Sequence, residues 1–263
     1  DGYESLRARR VAGAVESGVI PEAGDIDDFV AKAVPWESLS DEERLLQTRV
    51  MEIYASMVAN LDAEIGRLLR SMKEMGALDN TLILFINDNG AQGGPIFGGP
   101  KSYSEGRTFD NRVENIGAGN SWVNMGQGWA EASTAPFRGN KASVYEGGLR
   151  VAAFARWAGQ APQPAINRQL LGNMDVMPTL LELAGASHPA PQFEGRAVLP
   201  LRGRSFAGIL RGNNEPVHAP DEAIALSSAG RHFMYRGDWK LLKELKSDWE
   251  LYNLATDPYE RVN

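Results

Sequence analysis

The stretch from residue 40 to residue 86 constrains the fold most, because a short link joins a long helical pattern to the pattern of a buried strand. Ser40 and Glu43 have the spacing of a capping box, in which each side chain accepts a hydrogen bond from the other residue's backbone N–H. Apolar residues then recur at helical spacing, and Gly76 suits the left-handed residue that ends a helix. The run TLILFI at 81–86 does not alternate, so we expect a strand covered on both faces, as in a parallel sheet between helices. Together these elements predict an α/β fold.

The remaining patterns divide the chain into a larger α/β part and a smaller antiparallel part. We expect helices over 4–18 and 169–185 and a second buried strand over 148–157. Residues 201–263 contain short, partly alternating apolar segments separated by turn residues, which predicts a small antiparallel sheet. The expected domains are therefore residues 1–200, the second half of an α/β core whose partial mixed sheet is flanked by helices, and residues 201–263, a small antiparallel subdomain.

A long segment between residues 91 and 135 is rich in Gly, Asn and Ser and has little periodicity. Structureless segments of this length in compact domains are usually functional. Trp122 and Trp129 are therefore expected to line the approach to a site.

Composition excludes several kinds of site and partner. The net charge of −7 and a pI near 5.1 argue against nucleic acid as a partner. No run of 18 apolar residues is present, so no membrane span is expected. The chain has no cysteine, which excludes disulfides, thiolate metal sites and a cysteine nucleophile within it. Its three histidines are scattered without metal-ligand spacing, which disfavours zinc and favours packing or surface roles.

The turn that follows the strand at 81–86 carries the first candidate site. Asp88 and Asn89 lie at the carboxyl end of that strand, where ligands bind in open α/β sheets. Their carboxylate and amide oxygens are suited to Ca²⁺ or Mg²⁺, although two ligands are too few for a divalent ion. The alternative interpretation is a plain turn, because Asn-Gly is a favoured turn pair.

Lys141 is the second candidate, in the segment APFRGNKASVYEGGLRV at 135–151. It lies between a Gly-Asn turn and a Glu-Gly-Gly turn, so its ammonium could face an anion at the same sheet edge. On the residues alone, two simpler interpretations stay open. Lys141 could be a solvated loop charge, and Glu146 could satisfy backbone donors in a tight loop.

Seven segments in one order resemble the C-terminal portion of type I sulfatases, especially the bacterial arylsulfatases. The resemblance extends over almost the whole chain, and it depends on the order of the segments rather than on any one of them. The segments are MEIYASMVANLDAEIGRLL, GALDNTLILFINDNGA, GWAEASTAPFRGNKASVYEGGLRV, MDVMPTLLELAGA, LRGRSF, RGDWKLL and WELYNLATDP.

The resemblance implies an alkaline-phosphatase-like fold and hydrolysis of a small-molecule sulfate ester to an alcohol or phenol plus sulfate. It implies that Asp88 and Asn89 ligate Ca²⁺, or Mg²⁺ in some members, and that Lys141 contacts the substrate sulfate. A divalent cation and an ammonium would offset negative charge on the sulfate oxygens as the ester is cleaved.

One departure from the family pattern determines what the chain could do alone. The family nucleophile is a formylglycine formed from a Cys/Ser-x-Pro-x-Arg motif, and this sequence has no such motif. The family's paired aspartates and active-site histidines are missing as well. We therefore expect a fragment that is inactive alone, with the nucleophile supplied by an upstream region.

Two alternatives remain on the sequence. One is a phosphate or phosphonate ester hydrolase of the same superfamily, and the other is a truncated relative with a structural or binding role. The compartment is open between export, to the periplasm or the medium, and retention in the cytoplasm.

Overall fold

The computed structural model of the chain describes residues 2–20, 31–97, 107–160 and 165–263. Within these ranges the α-helices are α1 Tyr3–Glu16, α2 Asp41–Glu74, α3 Gln127–Thr134, α4 Glu146–Leu149, α5 Val176–Leu183 and α6 Ala207–Leu210. The strands are β1 Leu82–Ile86, β2 Ala153–Trp157, β3 Gln192–Phe193, β4 Arg196–Ala197, β5 Ala223–Ser228, β6 Arg231–Arg236, β7 Trp239–Lys243 and β8 Glu250–Asn253. No helix in the described ranges combines the length and the apolar character that a membrane span needs.

Helix α2 begins at the predicted capping box. The Ser40 hydroxyl accepts from the Glu43 N–H at 3.3 Å, and the Glu43 carboxylate accepts from the Ser40 N–H at 2.8 Å. Gly76 follows the helix with φ +69°, as predicted. The apolar stripe of this helix is less buried than its pattern indicates. Val50 is buried, whereas Met57 and Leu68 are exposed, because the second half of the helix has few packing partners among the described residues.

The strand predicted at 81–86 forms, but the expectation of a parallel, doubly covered sheet is wrong. β1 pairs with β2 in an antiparallel arrangement, and the rings of Phe85 and Phe154 stack at 4.8 Å. β1 is half-buried and most of β2 is exposed, since no described helix packs extensively on the pair. The predicted strand over 148–157 is also shorter than expected, because α4 occupies its first residues.

Residues 223–253 confirm the predicted antiparallel sheet, with strand order β5-β6-β7-β8. Leu242 on β7 and Tyr252 on β8 are fully buried, and they pack against Val144 and Tyr145. The core of this sheet is therefore shared with the segment that leads into α4. The helix expected over 169–185 is restricted to α5, with one 3-10 turn before it.

Trp129 occupies a different position from the one predicted. It lies on α3, is 4% exposed, and packs edge-on against Tyr3 of α1 and Trp36. Its indole N–H donates to the carbonyl of Gln47 on α2 at 2.9 Å. It is a core residue that joins three segments, and it does not line a site. Residues 98–106 of the predicted loop lie outside the described ranges.

Candidate active site

Asp88 and Asn89 lie in the turn that leaves β1. The turn is fixed on both sides by backbone bonds, from Asn87 N–H to the Ala152 carbonyl at 3.3 Å and from Gly90 N–H to the Gly148 carbonyl at 3.0 Å. The carboxylate of Asp88 is exposed and has no hydrogen-bond partner among the described residues. The amide of Asn89 donates to the Gly90 carbonyl at 2.9 Å, which leaves its oxygen available as an acceptor.

The turn at Gly90 accepts no other residue because two backbone segments meet there. A Cβ on Gly90 would overlap with the carbonyl oxygen of Gly147. The Glu-Gly-Gly segment therefore packs directly against the turn that carries Asp88 and Asn89. This contact joins two motifs that are separate candidates in the sequence.

The backbone of Lys141 bonds to the segment that follows the turn of Asp88 and Asn89. Its N–H donates to the carbonyl of Ala91 at 2.9 Å, so the lysine lies beside the segment that immediately follows Asn89. The side chain of Lys141 is exposed, and no anionic partner holds it among the described residues. The structure thus brings together the backbones that carry all three predicted site residues.

The residues around Lys141 form a tight loop with an unusual backbone. Ala142 has φ +70°, a left-handed conformation that costs a residue with a Cβ roughly 1 to 2 kcal/mol. Gly139 has φ +85° and its carbonyl accepts from the Thr134 hydroxyl at 3.0 Å. The Asn140 amide donates to the side chain of Gln127 on α3 at 3.1 Å. Such a conformation persists only where the surrounding contacts determine it.

Glu244, just after β7, holds this loop from the C-terminal sheet. One oxygen of its carboxylate accepts from the Ser143 hydroxyl at 2.6 Å and from the Val144 N–H at 2.8 Å. The other oxygen accepts from Arg231 of β6 at 2.7 Å. Burial works to raise the pKa of Glu244, but these hydrogen bonds and the guanidinium hold that pKa below its ordinary value. The carboxylate is therefore well suited to remain charged and accept all three bonds.

A buried ion network anchors the other side of the loop. The ammonium of Lys240 is fully buried and contacts Glu146 at 2.7 Å and Glu260 at 2.6 Å. Glu146 also accepts from the Tyr235 hydroxyl and pairs with Arg150 at 2.9 Å. The interpretation of Glu146 as a residue that caps backbone donors is wrong, because its carboxylate is held by these side chains of β6 and β7 and by Arg150, which follows α4.

The two carboxylates on Lys240 titrate differently. Burial works to raise the pKa of Glu146, but Lys240 and Arg150 together hold it below its ordinary value. Glu260 has a pKa raised to about 7, first by burial and then by the charge of Glu146, against the opposing effect of Lys240. Burial and the adjacent Glu146 also raise the pKa of Tyr235 far above its ordinary value.

This network was not predicted from the sequence, although a signal for Lys240 is present. Side chains alternate along a strand, so Lys240 shares a face with the fully buried Leu242. A lysine on an inward-facing position needs buried carboxylates as partners. Which carboxylates those are cannot be read locally, since Glu146 lies 94 residues away in the sequence.

The donor set at the β1 turn fits a hard cation in kind but is incomplete. Asp88 and Asn89 offer oxygen atoms that have no hydrogen-bond donor among the described residues, and such oxygens are the ligand chemistry of Ca²⁺ and Mg²⁺. Within the described ranges, no group of three or more Asp, Glu, His or Cys side chains could hold a metal ion. Any further ligands would have to come from elsewhere.

An open groove lies between α1, the first turns of α2 and the segments at 94–97 and 126–128. Its volume is about 430 Å³, and its walls include Tyr3, Ile96, Phe97 and the side chain of Gln127. Gln127 also accepts a hydrogen bond from Asn140, so it connects the groove to the Lys141 loop.

Of the histidines, His218 has a packing role, because it is buried against Asp175 at 3.1 Å and Glu222 at 3.4 Å.

Comparison with known proteins identifies the family. Residues 18–186 match the family described as Sulfatase. The chain belongs to the sulfatase family. Residues 139–263 also match the C-terminal domain described as that of N-sulphoglucosamine sulphohydrolase, so the sulfatase resemblance includes the C-terminal sheet.

Two curated sulfatases show what share of a sulfatase's length this chain covers. It is 35% identical to an uncharacterised sulfatase of Schizosaccharomyces pombe, over 100% of this chain and 49% of that protein. It is 32% identical to an arylsulfatase of Klebsiella aerogenes, over 79% of this chain and 45% of that protein. The chain therefore spans about half the length of the curated sulfatases it matches.

Solved structures confirm the predicted fold class. The crystal structure of Ps i-CgsB in complex with k-i-k-neocarrahexaose superposes with a TM-score of 0.55 at 23% identity, over 98% of this chain and 49% of that one. A phosphonate monoester hydrolase from Silicibacter pomeroyi superposes with a TM-score of 0.52 at 17% identity, over 88% of this chain and 39% of that one. The sulfatase chain thus has the α/β fold of the alkaline-phosphatase-like hydrolases.

Proposed function

We propose that this chain supplies one half of the active site of a sulfuric ester hydrolase of the arylsulfatase type. In the reaction, water adds across the ester, the S–O bond to the organic group breaks, and an alcohol or phenol, sulfate and a proton are released. The hydrogen bond from Lys141 N–H to the Ala91 carbonyl carries the proposal, because it holds the lysine beside the turn of Asp88 and Asn89.

Lys141 would bind the sulfate group of the substrate. Its ammonium is exposed and unpaired among the described residues, so it can approach an anion without first breaking an ion pair. An ammonium placed there offsets the negative charge that the sulfate oxygens and the leaving oxygen carry in the transition state. The loop around it is already fixed, so little ordering is needed on binding.

Asp88 and Asn89 would provide part of the site for Ca²⁺, with Mg²⁺ as the alternative ion. When bound, the cation would supply positive charge to the sulfate oxygens. The nucleophile and the remaining ligands would come from a region outside this chain. The formylglycine expected in sulfatases has no source in these 263 residues, since the required motif is absent.

The test uses the full-length protein that contains this chain and a chromogenic aryl sulfate. Lys141→Ala should lower kcat/KM by about 10²- to 10³-fold, the usual cost of removing one group that stabilises developing charge. Lys73→Ala, which removes an exposed lysine near the end of α2, should leave kcat/KM unchanged. Equal activity of Lys141→Ala and the wild-type protein would contradict the proposal.

A second candidate is hydrolysis of phosphate or phosphonate esters. The fold similarity to the phosphonate monoester hydrolase favours keeping it, because an exposed lysine and a cation would suit either anion. Comparison of kcat/KM for an aryl sulfate, an aryl phosphate and a phosphonate monoester separates the candidates. No turnover of any of them by the full-length protein would favour the non-catalytic alternative.

A further inference from the structure

We propose that Glu244 is a positioning residue, which fixes the loop of residues 139–144 and so determines where Lys141 presents its ammonium. The inference builds on the proposed role of Lys141, and it assigns a function to a residue of the C-terminal sheet. Glu244 itself contacts neither the β1 turn nor the lysine side chain in the described structure. It acts through the backbone that carries Lys141.

The loop needs an external constraint because of its backbone. Ala142, the neighbour of Lys141, is held in the left-handed region at φ +70°. A free loop would return this residue to an ordinary conformation, and the adjoining Lys141 would turn with it. The contacts on both sides of Ala142 must therefore maintain the strained conformation.

One of those contacts is internal to the turn, because Ser143 N–H donates to the Asn140 carbonyl at 2.9 Å across Ala142. On the N-terminal side, Lys141 N–H is bonded to the carbonyl of Ala91. On the C-terminal side, the next two residues, Ser143 and Val144, both donate to the same oxygen of Glu244. Glu244 is the side chain that fixes the loop directly after the strained residue.

Glu244 is in turn held in place by the sheet. Its second oxygen bonds to Arg231 of β6, and its backbone N–H donates to the Ser247 hydroxyl at 3.1 Å. The C-terminal side of the loop thus takes its position from β6 and from the residue after β7, while α3 holds its N-terminal side. Because the carboxylate is partly accessible, a substitution there should leave the buried Lys240 network intact.

The first test measures amide hydrogen exchange in the 263-residue chain and needs no enzymatic activity. Glu244→Ala should speed exchange at Val144, which loses its acceptor, and also at Lys141, whose bond to Ala91 depends on the loop conformation. We expect an increase of about tenfold or more at both amides. Glu244→Gln keeps an oxygen acceptor and should restore most of the protection, and Asp248→Ala, at an exposed carboxylate of the same turn, should change neither amide. Faster exchange at Val144 with unchanged exchange at Lys141 would overturn the proposal.

The second test is a double-mutant cycle on the full-length protein with an aryl sulfate. Glu244→Ala should lower kcat/KM by about tenfold or more in the wild-type background and have no further effect in a Lys141→Ala background, because the two residues act as a unit. Equal losses in the two backgrounds would mean that Glu244 acts on stability alone, and would contradict the inference. If Lys141→Ala itself has no effect, the proposed function fails, while the exchange experiment still decides the role of Glu244.

Discussion

At the scale of single residues, the arrangement around Lys240 gives two neighbouring glutamates opposite pKa shifts. One fully buried ammonium serves two buried carboxylates, Glu146 and Glu260. Arg150 adds a second positive charge beside Glu146 but not beside Glu260. Glu146 therefore keeps its charge to lower pH, whereas Glu260 takes up a proton more readily than an exposed glutamate does.

The pH dependence of folding follows from these opposite shifts. Glu260 has a pKa of about 7 when folded and an ordinary value of 4.5 when unfolded, so the folded state binds the extra proton between those values. Its contribution to stability is fully present below pH 4.5 and is lost as the pH rises to about 7, by about 3 kcal/mol in total. Glu146, with a lowered pKa, acts in the opposite sense and only below pH 4.5.

Urea unfolding between pH 4.5 and 7.5 measures this effect. The free energy of unfolding of the wild-type chain should fall across this range relative to that of Glu260→Gln, whose side chain cannot titrate. Glu215→Gln, at an exposed position, should follow the wild-type curve. Parallel curves for the wild-type chain and Glu260→Gln would show that Glu260 does not titrate in this range.

At the scale of elements, the start of α2 shows how a local pattern sets a helix boundary. Ser40→Ala removes the side chain that accepts from the Glu43 N–H, and this should lower the free energy of unfolding by about 1 kcal/mol. Ser56→Ala, at an exposed position inside the same helix, removes no cap and should be neutral or slightly stabilising. Urea unfolding of both variants at neutral pH compares the two effects. A larger loss for Ser56→Ala than for Ser40→Ala would contradict the capping role.

The elements that sequence reasoning predicted well are those whose determinants are close together in the chain. The cap at Ser40, the stop at Gly76 and the alternating strands of the C-terminal sheet all depend on neighbouring residues. The antiparallel partner of β1 was not predicted, because it lies beyond a long connecting segment that carries no pairing signal. Trp129 was misplaced for a related reason: its helix is short and sits in a Gly-rich region, where periodicity is hard to detect.

The candidate site likewise combines residues that short motifs indicate with residues that only the folded structure brings together. Short motifs made Asp88, Asn89 and Lys141 candidates with simpler interpretations still open, and their expected roles came from the resemblance to sulfatases. The structure adds that their backbones are joined at Ala91 and Gly90. The residues that hold the Lys141 loop could not be named, since Ser143 and Glu244 are 101 residues apart in the sequence. Their contact follows from how the C-terminal sheet packs, which no local pattern specifies.

At the scale of the whole molecule, the chain carries the proposed sulfate-binding lysine and the proposed cation ligands, but not the motif from which sulfatases are expected to form their nucleophile. It spans about half the length of the curated sulfatases that it matches, and it has neither a cysteine nor a Ser-x-Pro-x-Arg motif. We therefore expect the isolated 263-residue chain to show no turnover of an aryl sulfate in the presence of Ca²⁺. The assay compares it with its own Lys141→Ala variant, and turnover above that control would refute the expectation.

The long separation between the Lys141 loop and the sheet that holds it has a consequence during translation. The Ser143 hydroxyl bonds to the side chain of Glu244, which is added 101 residues later. On the proposed role of Glu244, a ribosome that has completed the β1 turn and Lys141 must therefore synthesise the chain through β7 before the loop can be held in place. A premature stop codon between Lys141 and Glu244 would leave every candidate site residue in the product, without the carboxylate that holds the loop.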